Sequence, residues 1–411
     1  RRPPRHERAG ELNRQHRMGL ASQFCRAAHR EGRRLRASPW DLGMISWVPL
    51  AGVLLLWWIF SAGLPTRLPI GVLDQDHSSL SRQLVRMLEA APGLQVTQAL
   101  TDRAEVGAAL RAGHVHAVVV IPEGLFRQIR LGRAAQVELL HNAQLGTHSS
   151  LIQRDVRSVV GTLSAGVEMA TRNRRGEASN TVRVAVEPVR ADLVTLFNPS
   201  LNYEQFLAAA LIPALLHILA MTAGAWTVGR ELRDGTLAEW IDPAGGPRVA
   251  LGALLGKLAW PMFSLGCVAS LALLWLTLGR GWHPPGSLVW VWLGLLALLA
   301  LSLALGALAA AATRSLRTAL SATGFITAPA FAFSGVGFPL LAMPVTARMW
   351  AQALPYTHYI RLQTEQLQMA APLRASAPTL GALLLAAAIL LGLSAPLLDR
   401  LSRQPAQWGK R

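Results

Sequence analysis

The residues Val228-Gly229-Arg230-Glu231-Leu232-Arg233-Asp234-Gly235-Thr236-Leu237-Ala238-Glu239-Trp240 set charges, a glycine and a hydroxyl between two long apolar runs. The chemistry open to them is ionic contact rather than catalysis. Leu232 and Leu237 can face the membrane or a partner, while Arg230, Glu231, Arg233 and Asp234 face water. Gly235 permits a tight chain reversal, and Thr236 can cap a following helix. The plain alternative is a solvated loop that ends a helix.

Catalytic chemistry finds little footing elsewhere. A phosphate-binding loop requires G-x-x-x-x-G-K-[ST] between a strand and a helix. The nearest match, Gly252…Gly256-Lys257-Leu258, is one residue short, lacks the hydroxyl and opens an apolar run. Lys257 is expected to snorkel to the inner headgroups. His114 and His116 flank Val115 without a third ligand in view, so they read as surface residues and no metal site is expected. Asp74 and Asp76 read as a turn and cap at a strand end. No catalytic residue and no cofactor is expected. His217 lies alone in an apolar run; such residues often line a pathway, and a bond to a neighbouring helix is the plainer reading. Around Ser334, Gly335, Pro339 and Pro344, glycine and proline break a helix and suggest a re-entrant element. Broken backbone at membrane depth survives only inside protein or beside water.

The elements that hold these residues are apolar and long. A bilayer core needs about 20 apolar residues per helix. Six segments qualify, approximately Leu42–Gly63, Phe206–Val228, Leu251–Leu278, Ser287–Ala312, Ala319–Phe338 and Pro378–Leu398. Hydrophobic residues make up 52% of the chain and charged residues 15%, with a mean hydropathy of +0.32. The 411 residues fit a six-helix membrane domain plus one inserted domain. A formal charge of +17 would suggest nucleic acid in a soluble protein. Here the arginines gather between Arg1 and Arg36, before the first span, where they hold a segment in the cytoplasm and attract anionic lipid. Membrane lipid is therefore an expected partner and nucleic acid is not.

The first span exceeds the apolar core of a cleavable leader, and Ser61-Ala62-Gly63-Leu64-Pro65 only loosely resembles a cleavage site, so it reads as a retained signal-anchor. The chain begins with Arg1 rather than Met, and a start upstream is expected. Cys25 and Cys267 cannot form a structural pair, and the inserted domain contains no cysteine. With the N-terminus in the cytoplasm, the domain from about 64 to 204 lies outside and the segment 229–250 inside. The tight loop with Arg314 and Arg317 and the tail with Arg400, Arg403, Lys410 and Arg411 also lie inside, as the positive-inside rule asks.

The inserted domain reads as α/β. Strands are expected at Leu68–Asp74, Leu94–Thr97, Ala117–Ile121, Val137–Leu140 and Val182–Val186. Helices are expected at Ser78–Glu89, Thr101–Ala112, Glu123–Leu131 and about Thr147–Arg174, with caps from Ser78 or Ser79 and from Thr101 or Asp102. Alternating strands and helices imply a small mixed sheet with helices on its faces.

Arg230-Glu231 with Gly235-Thr236-Leu237 and Glu239 resembles the Arg-Glu…Gly-Thr-Leu-Glu signature of ABC type-2 exporter permeases. Other segments resemble that family in order. They are Asn198-Pro199 before the second span, Gly256-Lys257 opening the third, Ser334-Gly335 with Phe338-Pro339 and Met343-Pro344, and Pro355-Tyr356-Thr357. Val72-Leu73-Asp74-Gln75-Asp76 with Ser81, and Ile121-Pro122-Glu123-Gly124, resemble strands of its large-ectodomain branch. Asp234 and the loop Asp242-Pro243-Ala244-Gly245-Gly246-Pro247 depart from the pattern.

The resemblance implies six transmembrane helices, with an α/β extracytoplasmic domain between helices 1 and 2, in a bacterial inner membrane. It implies a separate cytoplasmic ABC ATPase docked on Arg230, Glu231, Gly235, Thr236, Leu237 and Glu239. It also implies a second permease copy or paralogue, and leaves room for a periplasmic adaptor and an amphipathic, drug-like or lipid-like cargo. Two rivals stand beside it. A receptor or assembly protein would need far fewer spans. An ion-driven transporter would show inverted repeats and acidic residues within its spans.

Overall fold

The computed structural model describes residues 19–63, 65–131, 133, 135–142, 145–174 and 202–408. The strand expected at Val182–Val186, the Asn198-Pro199 pair, residues 1–18 of the basic segment, Lys410 and Arg411 lie outside the described residues. Two compact units result: Leu64–Thr195, and Arg1–Gly63 together with Leu196–Arg411.

The larger unit begins with α1 (Leu20–Ala37), α2 (Pro39–Ile45) and α3 (Trp47–Phe60). α1 buries Gln23, Ala27, Glu31 and Leu35, four positions spaced by four residues that form one stripe. Ser38 closes it, and its hydroxyl accepts the Asp41 N–H to cap α2, which starts with Pro39. α2 and α3 together form one span-length run, Pro39–Phe60.

The smaller unit follows in chain order as β1 (Leu68–Asp74), α4 (Ser79–Ala90), β2 (Leu94–Leu100), α5 (Arg103–Arg111), β3 (Ala117–Ile121), α6 (Leu125–Arg130), β4 (Glu138–His141) and α7 (Gly146–Arg174). The sheet runs β2-β1-β3-β4, with β1 parallel to both neighbours and β4 antiparallel to β3. Strand side chains alternate between faces. Ile70, Val72 and Val119 pack with Leu84 and Leu88 of α4 and Ile152 and Val156 of α7. Leu73, Val118 and Val120 pack on the other face with Val106 and Ala109 of α5. Ser78 caps α4 and Asp102 caps α5. Asp74 accepts from the Asp76 and His77 N–H groups and the Ser81 hydroxyl, which is the expected turn chemistry.

The larger unit resumes with α8 (Ala209–Asp234), α9 (Leu237–Trp240), α10 (Gly246–Leu274), α11 (Leu288–Thr313), α12 (Leu316–Thr327), α13 (Val345–Ala353), α14 (Pro355–Leu367) and α15 (Leu373–Ser402). A π-helical turn, Glu204–Ala208, leads into α8, and another, Trp275–Gly279, follows α10. The two ends are clasped: Arg280 Nε and Trp57 Nε1 both donate to Glu204 Oε1 at 2.9 Å.

Among the described residues, five helical runs are long and apolar enough to cross a membrane: Pro39–Phe60, Glu204–Asp234, Gly246–Arg280, Leu288–Thr313 and Leu373–Ser402. The expected span Ala319–Phe338 is not among them. Its helix α12 has 12 residues, about 18 Å at 1.5 Å per residue. Pro329 supplies no N–H, and its ring opposes the carbonyl four residues back, so the α-helix stops at Thr327. Irregular turns carry the chain on, with Phe333 N–H donating to Pro329 O at 3.1 Å. Of the five runs, the first stops at Phe60, short of its expected end, and the other four run past theirs. α8 in particular stays helical through Arg230, Glu231 and Asp234.

Candidate functional site

The last turns of α8 carry two charged residues into the interior. Arg230 is 2% exposed and Glu231 is fully buried. A buried charge survives only where partners replace its water, and each charge here has several. Glu231 accepts from Lys257 of α10, from Thr236, from Arg34, and from Arg30 at 3.0 Å. Lys257 Nζ also donates to Glu31 Oε2 at 2.7 Å and lies 5.0 Å above the Trp240 ring. Arg230 bridges Glu31 of α1 and Asp41 of α2, and Trp226 Nε1 donates to Asp41 at 3.0 Å. Towards the surface, Arg34 pairs with Asp234 at 2.9 Å and Arg30 with Glu239 at 3.1 Å.

Local backbone chemistry explains why these elements converge. Gly235 ends α8 in the left-handed region at φ +71°, and the Thr236 N–H returns to Glu231 O at 3.0 Å. α1 lies unusually close to α10. A Cβ on Gly256 would sit 2.2 Å from Phe24 O, and one on Gly252 2.5 Å from Leu20 O. Two small residues four apart let helix backbones approach in this way. The Gln23 amide then donates to Trp240 O at 2.7 Å, fixing α9 to α1.

Several expectations are corrected. Arg230 and Glu231 do not face water, and Leu232 and Leu237 are fully buried rather than turned to membrane or partner. Thr236 makes no side-chain cap; its hydroxyl goes to Glu231. Lys257 does not snorkel: it is 1% exposed and paired. Its apolar surroundings concealed the fact that Glu31 and Glu231 reach it. What faces solvent is Arg233, Gly235 and Glu239, with Asp234 partly covered. Sequence reasoning missed Glu31, Asp41, Arg30 and Arg34. One signal was present: Glu31 falls on the stripe that α1 buries.

The second group of predicted residues separates. His217 is buried, with Nδ1 2.7 Å from Ser302 Oγ of α11 and its ring stacked on Tyr356 at 6.4 Å. This is the plainer of its two readings. Ser334, Gly335 and Pro339 line a cavity of about 490 Å³ together with Phe206, Arg361 and Glu365. His217 and Pro344 are not among its lining residues; Pro344 precedes α13 as its N-cap. Among the described residues, no group of three or more His, Cys, Asp or Glu is arranged to hold a metal.

A family model described as ABC-2 family transporter protein matches residues 39–395. No curated protein matches the chain.

Proposed function

The chain belongs to the ABC-2 family of transporter membrane subunits, and from that premise we propose that it is the permease of an ATP-driven exporter in a bacterial inner membrane. A separate cytoplasmic ATPase docks on the element that follows α8. Its outward residues, Arg233, Gly235 and Glu239, meet the partner, while Arg230, Glu231, Thr236 and Leu237 form the base beneath them. Two copies, or this chain and a paralogue, present two such elements to two ATPases.

The observation that carries the reading is the buried ion cluster. Nucleotide-driven motion is passed on only by elements that move together, and the cluster ties α1, α2, α8 and α10 at this end. In the accompanying topology both termini are cytoplasmic and the α/β unit is periplasmic, where an adaptor can reach it. The sixth crossing is made by α12 and the irregular segment after Pro329. The cavity beside Ser334, Gly335 and Pro339 belongs to the path of an amphipathic, drug-like or lipid-like cargo.

The test is co-purification of the ATPase, with export measured alongside, for Glu239→Ala, Gly235→Pro and the control Arg111→Ala. Losing a charge-assisted interface contact costs about 2–5 kcal/mol. ATPase capture and export should therefore fall together for the first two variants and not for the control. Full capture and full export in both would remove the docking role.

A further inference from the structure

Arg230 also borders a space that the ion cluster leaves open. A cavity of about 190 Å³ lies among α1, α2, α8, α10 and α12. Most of its wall is apolar, from Leu35, Ile45, Leu219, Pro261 and Leu320. One end is polar, made by Glu31, Asp41 and Arg230.

The hydrogen-bonding capacity at that end is unevenly spent. Both carboxylate oxygens of Glu31 accept bonds, from Arg230 and Lys257. Both oxygens of Asp41 do so as well, from Trp226 and Arg230. Arg230 uses its two terminal nitrogens, but its Nε–H has no partner, although the residue is only 2% exposed. A buried donor left unpaired is a standing penalty that an incoming acceptor removes.

These facts select a ligand chemistry. A cationic group would have to compete with Arg230 and Lys257 for carboxylate oxygens that each already accept a bond. An anion would meet two carboxylates and one guanidinium, an unfavourable sum. What fits is a neutral acceptor on an apolar body. An apolar cavity of about 150 Å³ stays dry and takes benzene-sized groups, so this one has room for a stretch of hydrocarbon. The rim points to its source. Trp40 is 73% and Met44 40% exposed on α2, where the span Pro39–Phe60 begins. Trp at a span end marks the boundary between headgroups and acyl chains, which is the depth of a glycerolipid's ester carbonyls.

We propose that this cavity is a binding site for a membrane glycerolipid, whose ester carbonyl accepts from Arg230 Nε while the first part of its acyl chain fills the apolar walls. The site depends neither on the identity of the cargo nor on the ATPase.

The full chain, reconstituted in vesicles of ether-linked phosphatidylcholine, which carries no ester carbonyl, would be exposed to a diacylglycerol probe carrying a photoactivatable diazirine near one ester. Adducts would be mapped by mass spectrometry. Adducts are expected on peptides containing Met44 and Thr222–Trp226. Filling the cavity from either of two helices, with Ala223→Leu or Leu320→Trp, should lower them at least tenfold. On the unaltered chain, an unlabelled diacylglycerol should compete at least tenfold better than a dialkyl ether analogue that lacks the carbonyl. Adducts elsewhere only, adducts unchanged by both variants, or equal competition by the ether analogue would overturn the proposal. A short free ester competing as well as diacylglycerol would overturn the lipid assignment in favour of a small soluble amphiphile.

Discussion

In the α/β unit, Arg103 and Glu138 pair at 2.7 Å with 58% and 47% of their side chains exposed. In the larger unit, Lys257 pairs with Glu31 and Glu231 where no side chain is more than 2% exposed. The first kind of pair is worth about 0.2–1 kcal/mol and can be lost almost unnoticed. The second is no stronger in net stabilisation, because desolvation offsets the attraction. Its members nevertheless depend on each other, since removing one strands the rest. The α/β unit is thus held by apolar layers that tolerate change at the edges. The end of α8 is held by matched charges that do not, a mode of cohesion that specifies one arrangement more than it adds stability.

The comparison breaks first at Lys257. Lys257→Met should destabilise the chain by about 3–5 kcal/mol, the usual consequence of removing one partner from a buried pair, as read by denaturant unfolding in mild detergent. Glu31→Gln combined with Lys257→Met should fall short of the sum of the two singles by about 0.5–3 kcal/mol. Strict additivity would mean that the charges are not coupled. In the α/β unit the corresponding weak point is apolar. Leu84→Ala, at a fully buried position beneath the sheet, should cost about 2–5 kcal/mol, while Arg103→Ala should cost almost nothing. Amide exchange in β3 measures both, and equal effects would erase the distinction drawn here.

The smallest effect concerns pH. His116 stacks on His148 at 5.1 Å, and its pKa is held below the ordinary 6.5 by burial and then by His148. The folded unit therefore binds fewer protons than the unfolded chain as pH falls through 6.5. Its stability is full above that value and declines below it. Exchange protection in β3 should weaken accordingly on acidification, and His148→Gln should flatten the slope. A slope unchanged by that substitution would clear His148 of any part in it.

How much was readable in the sequence follows the same divide. β1 and β3 were legible to the residue, and α4, α5 and α7 within a residue or two. Their hydrophobic period and caps are local properties. β2 runs three residues beyond its expected end, because pairing with β1 rather than side-chain type sets its length. The long apolar helices were legible by length, but the helix expected over Ala319–Phe338 is cut short at Pro329 and not resumed past Gly335 and Gly337. The charged stretch was found, and its orientation was not. Whether Glu231 faces water or protein depends on Arg30, Arg34 and Lys257, and no local pattern joins positions so far apart in the chain.

That separation has a consequence in time. Glu31 and Lys257, bonded through Glu31 Oε2, are 226 residues apart. At a synthesis rate of about 5–20 residues per second, α1 emerges roughly 10–45 s before the lysine that completes its seat. Through that interval Glu31 and the mixed stripe it belongs to lack the α10 surface that seats them. An amphipathic helix rich in arginine has one place to wait, flat on the lipid surface. α1 is thus made early and fitted late, and in that interval the span that follows it, Pro39–Phe60, keeps it at the membrane.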